Sequence, residues 1–210
     1  VYASEGELLA ELHDGRNSQP VRYEDTPEIV VQAVLAAEDK DFFEHEGIDF
    51  EAIASAAADS IGGDVRGGST ITQQVVKKVF VGEEISIRRK VTEAFVSAEL
   101  ERRFPKTQIL EYYMNSVYFG ASAYGVQAAA LEFFGKELDE LEAHEAAAMA
   151  VSIRNPSFYD PRRRPEEVLS RRNLVLDIMA EKEWLTEEEA EEAKAQPLGV
   201  IPHIPFSGPA

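Results

Sequence analysis

Cysteine is absent from this chain. That excludes disulfides, thiolate metal sites and a cysteine nucleophile, and it is compatible with either a reducing or an oxidising compartment. Long apolar runs are missing too: nothing approaches the roughly 18 consecutive residues of a membrane-spanning helix. No Ser-x-x-Lys or Lys-Thr-Gly occurs, so a serine acyl-transfer site of that type is excluded. No Gly-Lys-Ser/Thr occurs either, so there is no P-loop. The four histidines (13, 45, 144 and 203) show no metal-ligand spacing. Positive charge is scarce: 21 Lys and Arg stand against 39 Asp and Glu, a net charge of −18. A nucleic-acid binder would show a broad basic footprint instead.

The scarcity is uneven. Residues 1–60 carry 3 basic and 15 acidic side chains, 61–110 carry 9 and 6, and 111–210 carry 9 and 18. A basic middle inside an acidic shell allows a local site for an anionic ligand. At 210 residues and 44% hydrophobic content, the chain can build one large domain with a smaller lobe.

Residues 1–25 read as a short hairpin around Ser4-Glu5-Gly6, and the rest has helical period. Thr26-Pro27 predicts an N-cap followed by Pro in the first turn of a helix over 27–39. Further helices are predicted over 50–61, 70–80, 87–104, 107–116, 123–134, 140–153, 165–184 and 187–195. Thr186 to Glu189 forms a capping box for the last of these. The domain therefore spans 26–196, and the Pro- and Gly-rich stretch 197–210 reads as a linker toward a further domain.

Three constellations can carry chemistry. Glu38 and Asp39 fall at the C-terminal end of a helix, where the dipole disfavours carboxylates and raises their pKa. That suits a general base, although a solvated acidic turn has the same sequence. Gly67-Gly68-Ser69-Thr70 opens an apolar helix, and free N–H groups there bind phosphate or sugar oxygens unless they are simply capped. Gln73, Gln74 and Lys77 follow on that helix. On 87–104, Ile87, Val91, Ala94, Phe95 and Ala98 form one apolar stripe. Glu93 lies off it, with Arg89 and Lys90 one turn back. That arrangement fits a cleft carboxylate beside an anion-binding pair, or a surface salt-bridge cluster. Arg154-Asn155-Pro156 marks a structural corner whose arginine can reach a ligand. His45 is placed to order the loop after Glu38.

In this order the segments resemble the family 51 glycosyltransferases, the peptidoglycan glycosyltransferase domain of class A penicillin-binding proteins and of monofunctional transglycosylases. Five motifs carry the likeness. They are Glu38-Asp39 with Phe42, His45 and Gly47; Gly67 to Gln74 with Lys77; Arg89-Lys90 with Glu93-Ala94; Lys106 through Ile109-Leu110-Glu111 to Tyr113 and Asn115; and Arg154-Asn155-Pro156. The resemblance runs over about residues 1–200.

It implies a mainly α, lysozyme-like fold with a large lobe and a smaller membrane-facing lobe. It implies polymerisation of lipid II into β-1,4 glycan strands with inversion and release of undecaprenyl pyrophosphate. Glu38 would be the base and Glu93 the residue that positions cations, with a divalent cation (Mg or Mn) admitted near it but no cofactor required. Asp39, His45, Gly68, Ser69, Thr70, Gln73, Gln74, Lys77, Arg89, Lys90, Asn115 and Arg154 become the substrate-binding candidates. The partners implied are lipid II, the growing glycan strand, a membrane surface reached through the small lobe near Val79-Phe80-Val81, a membrane anchor and a transpeptidase domain. The setting implied is the outer face of the bacterial cytoplasmic membrane. Ser55 and Ile85 stand where the family pattern has basic residues, which predicts a weaker grip on the donor phosphates. Two alternatives compete: a lysozyme-like glycan hydrolase, which has no need of the basic middle, and a non-catalytic lipid II or glycan-binding module, which forms no polymer.

Overall fold

The computed structural model describes residues 19–45, 47, 69–80 and 87–203. The predicted hairpin strands before residue 19, the 50–61 helix and positions 55 and 85 lie outside these residues. Among the described residues the protein is mainly helical: α1 Glu28–Glu38, α2 Ile71–Phe80, α3 Ile87–Arg103, α4 Lys106–Ser116, α5 Val126–Phe134, α6 Ala143–Arg154, α7 Pro165–Glu181 and α8 Glu187–Ala195.

The large lobe is built around α6. Every residue from His144 to Ile153 is buried, as expected of a helix surrounded by others. Its alanines allow close approach by α1 and α7, the helices it packs against most extensively. Val30, Ala33 and Val34 of α1 and Val175, Leu176 and Met179 of α7 fill that core. Polar groups on α6 are paired. Glu145 takes both oxygens to Lys136 at 2.8 Å, and Ser152 donates to the Tyr159 carbonyl at 3.1 Å. A second, smaller group is formed by α2 and α3, and α4 packs on α2.

Three boundaries differ from the periodic reading. Pro27, not Thr26, is the N-cap of α1, because the Thr26 hydroxyl turns back to the Arg22 carbonyl at 2.9 Å. The predicted 123–134 helix begins only at Val126. Residues Tyr118–Gly120 and Ala123–Tyr124 form an antiparallel hairpin instead, turned by Ala121 and Ser122 at φ 48° and 65°. The Tyr118 and Tyr124 rings sit 4.7 Å apart across it, a cross-strand aromatic pair that favours the sheet. The start of the stretch predicted as a linker packs on the domain: Leu198 is buried, and Ile201 N–H donates to the Phe133 carbonyl at 2.8 Å.

Candidate active site

The site forms where the end of α1 meets the start of α2. Asp39 leaves helical geometry at φ −164° and is buried. Its Oδ2 accepts the Ile71 N–H at 2.9 Å, and its oxygens also accept His45 Nε2 at 3.0 and 3.1 Å. Asp39 therefore caps α2 across the chain, and His45 steadies it. Because His45 Nε2 faces a carboxylate, that nitrogen carries the proton. Its other ring nitrogen, Nδ1, is buried without a partner.

Thr70 and Gln73 complete the start of α2. The Thr70 hydroxyl accepts the Gln73 N–H at 3.2 Å, and Gln73 Oε1 accepts the Thr70 N–H at 3.2 Å, the reciprocal arrangement of a capping box. Thr70 also donates to the Gly47 carbonyl at 3.0 Å. The N–H groups of Thr70, Ile71 and Gln73 are thus satisfied within the protein. Gly47 is held at φ +77°, where an added Cβ would stand 3.0 Å from the Ser97–Ala98 backbone. Gly47→Ala is expected to cost about 2–4 kcal/mol from backbone strain and overpacking, read as a lower urea midpoint. An unchanged midpoint would show that this contact holds nothing.

Gln73 and Gln74 are neighbours and so project ~100° apart from α2. They meet different charged partners. Gln74 Nε2 donates to Glu38 Oε2 at 2.8 Å. Glu38 is half-buried, and burial pushes its pKa up. The Gln74 hydrogen bond and the positive Arg154 and Arg171 oppose that rise, while the negative Asp39 adds to it. Gln73 lies toward Lys90, whose Nζ donates to Glu93 Oε1 at 2.6 Å, Ser69 Oγ at 2.9 Å and Gln73 Oε1 at 3.4 Å. Glu93 is 2% exposed, whereas Lys90 reaches solvent.

The apolar stripe read on α3 is turned outward: Val91 is 66% and Phe95 74% exposed, while Glu93 and Ser97 are buried. Polar contacts with α2 decide which face goes in. One side of α2 thus offers a half-buried carboxylate kept partly basic. The other offers a lysine held by a buried carboxylate.

The chain was compared with known proteins. The transglycosylase family model matches residues 5–180. The chain belongs to the transglycosylase family. It is 43% identical over 202 residues to penicillin-binding protein 1A of Aquifex aeolicus, covering 95% of this chain and 28% of that one. It is 38% identical to penicillin-binding protein 1F of Bacillus subtilis, with 95% and 28% covered, and 35% identical to penicillin-binding protein 1A of Escherichia coli, with 100% and 25% covered. The chain thus spans about a quarter of these relatives. The crystal structure of penicillin-binding protein 1A from Haemophilus influenzae shares its fold, with a TM-score of 0.55 at 24% identity, covering 96% of this chain and 21% of that one. Family membership makes the domain a glycosyltransferase.

The remaining candidates of this transglycosylase domain are placed as follows. Lys77 is exposed on α2. Arg154 is exposed in the last turn of α6, near Glu38. Arg89 lies in the first turn of α3, with its side chain outside the described residues, and Gly68 falls outside them altogether. Asn115 has a structural task. Its amide accepts the Val21 N–H at 2.8 Å and donates to the Val21 carbonyl at 2.7 Å and the Glu111 carbonyl at 2.9 Å. Asn115→Leu is expected to lose about 1–3 kcal/mol because it leaves backbone groups unpaired. Denaturant unfolding checks this, and unaltered stability with a raised KM would return Asn115 to the substrate.

Two features had no role assigned from the sequence. One is Arg171, whose charge acts on Glu38. The other is the buried chain from Thr72 to Glu101, on to Lys106 at 2.7 Å, and from there to the Phe42 ring at 4.4 Å. It ties α2, α3, α4 and the loop after α1 together, and no local pattern announces the Thr72–Glu101 contact across 29 residues or that of Lys106 with Phe42.

Proposed function

We propose that this domain polymerises lipid II into β-1,4 glycan strands with inversion at the donor carbon. The observation that carries the reading is Glu38: a carboxylate at the end of α1 whose pKa is raised by burial, with one oxygen held by Gln74. A base of that kind accepts the proton of an acceptor 4-hydroxyl. The freed oxygen attacks the donor C1 as the bond to the lipid pyrophosphate breaks on the opposite face. A single displacement inverts the centre without a glycosyl-enzyme, by the logic of inverting glycosidases.

Undecaprenyl pyrophosphate leaves as an anion and needs no proton. Glu93 accordingly acts by holding Lys90, and Lys90, Lys77 and Arg89 meet the developing charge. Arg154 and Arg171 stand on the Glu38 side. Glu93 is a poor metal site, since Lys90 occupies Oε1 and no group of three or more metal-ligating side chains gathers among the described residues. No step is therefore routed through a cation.

Among the described residues no helix is long and apolar enough to cross a membrane. The exposed Val79 is the described part of the surface assigned to lipid contact. The setting is the outer face of the cytoplasmic membrane, with a transpeptidase domain following in the parent protein.

The test is incubation with labelled lipid II in detergent. Long β-1,4 polymer, with one undecaprenyl pyrophosphate released per bond, supports the reading. Cleavage of preformed glycan makes the domain a hydrolase, and retention of lipid II without product makes it a binding module.

A further inference from the structure

Helix α4 brings Tyr113 to the far side of Gln74. The buried Tyr113 hydroxyl donates to Gln74 Oε1 at 3.0 Å, while Gln74 Nε2 donates to Glu38 Oε2 at 2.8 Å. Three side chains from α4, α2 and α1, at sequence separations of 39 and 36, thus make one line of hydrogen bonds ending on the carboxylate. A primary amide fits such a place two ways round, related by a half-turn that exchanges its oxygen and nitrogen. One way gives Glu38 a donor. The other sets two acceptor oxygens against each other.

The phenol distinguishes them, because its O–H needs an acceptor and finds Oε1. Burial, with the negative charges of Glu38 and Asp39 and a hydrogen-bonding approach to Glu38 itself, pushes the Tyr113 pKa well above the ordinary tyrosine range, so the proton stays on the phenol.

We propose that Tyr113 is a positioning residue for the general base: it locks the Gln74 amide with its nitrogen toward Glu38, leaving the other carboxylate oxygen to take the substrate proton. This rests on the reading of Glu38 as the base. The groups facing Glu38 are Asp39 beside it, Gln74 from α2, Tyr113 from α4, Arg154 from α6 and Arg171 from α7. Gln74 and the two arginines favour the ionised form, and burial and Asp39 oppose it. Removing the phenolic donor leaves Gln74 Oε1 without its partner and lets the amide turn, so Glu38 loses part of its donor and holds its proton more tightly. The acid limb of kcat/KM moves to higher pH, and the rate at neutral pH falls about three- to tenfold. A tyrosine that merely packed would leave the limb in place.

The experiment measures initial rates of lipid II polymerisation against pH for the full chain and for Tyr113→Phe, Gln74→Met, the double variant and Tyr112→Phe. Expected are upward shifts of the limb for Tyr113→Phe and Gln74→Met, a double-variant shift smaller than the sum of the two, and none for Tyr112→Phe. A Tyr113→Phe limb that overlies the parent's overturns the proposal, even if the rate drops. Carbon-13 titration of the Glu38 carboxyl in the substrate-free protein reads the same lock without turnover. There an upward shift in Tyr113→Phe supports it and an unmoved titration overturns it. Failure of the base reading shows separately, as a Glu38→Gln variant that polymerises like the parent.

Discussion

Glu38→Gln loses polymerisation by at least about 100-fold, within the 10²–10⁴ typical of a positioned general base, and it melts at a higher temperature than the parent. Both effects have one cause. Burial raises the Glu38 pKa above that of the unfolded chain, so the folded state binds this proton more tightly. The stability linked to that proton is fully present below the ordinary glutamate pKa and is lost as pH rises through the raised value. At neutral pH the ionised carboxylate therefore costs stability. Glutamine keeps an acceptor for Gln74 and removes the buried charge. The gain in melting temperature should be largest at neutral and alkaline pH and shrink toward acid. Polymerisation that survives the substitution would remove Glu38 from the chemistry, and a gain that does not vary with pH would place the stabilisation elsewhere. A residue whose removal steadies the fold while stopping the reaction has been kept for function.

Arg172→Met unfolds at markedly lower denaturant, with a loss of about 2–5 kcal/mol, from about 1–3 kcal/mol for each buried acceptor left unpaired. Arg172 is 0% exposed. Its guanidinium donates to the carbonyls of Lys194 at 2.8 Å and Gln196 at 2.7 Å, and to Asn173 Oδ1 at 2.8 and 3.1 Å. It thus serves the C-terminal end of α8, where carbonyls lack helical partners and the dipole is negative. Burial lowers its pKa, but it remains a cation at neutral pH. Methionine fills similar space and leaves those carbonyls unpaired. Lysine keeps the charge but cannot fork between two carbonyls, so Arg172→Lys should recover only part of the loss. A methionine variant as stable as the parent would show that water serves the end of α8 equally well.

These contacts mark what the sequence could and could not convey. The helices were legible because period and caps are local: Thr186 and Glu189 form the predicted capping box, and α8 spans the predicted 187–195. The mainly α content followed from them, and the two-lobe order was implied by the family resemblance. The 118–124 hairpin was not legible, since Ala121 and Ser122 occupy left-handed positions where glycine or asparagine would have announced a turn. Which face of α3 turns inward was not legible, because an apolar stripe identifies a face but not the polarity of the neighbouring helix. Glu38 stood out by breaking the helix-dipole rule within a few residues. Asp39, Asn115 and Tyr113 act across 32, 94 and 39 residues of chain, and such tasks are written only in three dimensions.

The Gly47–Thr70 bond, with Asp39 on Ile71, has an evolutionary side. It closes the chain on either side of residues 48–69, so the spacing between Glu38 and α2 is independent of how many residues make that excursion. Closing a longer loop is cheap, about 0.6 kcal/mol for each doubling of length. Changes in chain length can therefore accumulate between the two clamps, short of the Gly67 to Ser69 motif, while the distance from Gln74 to Glu38 is inherited unchanged.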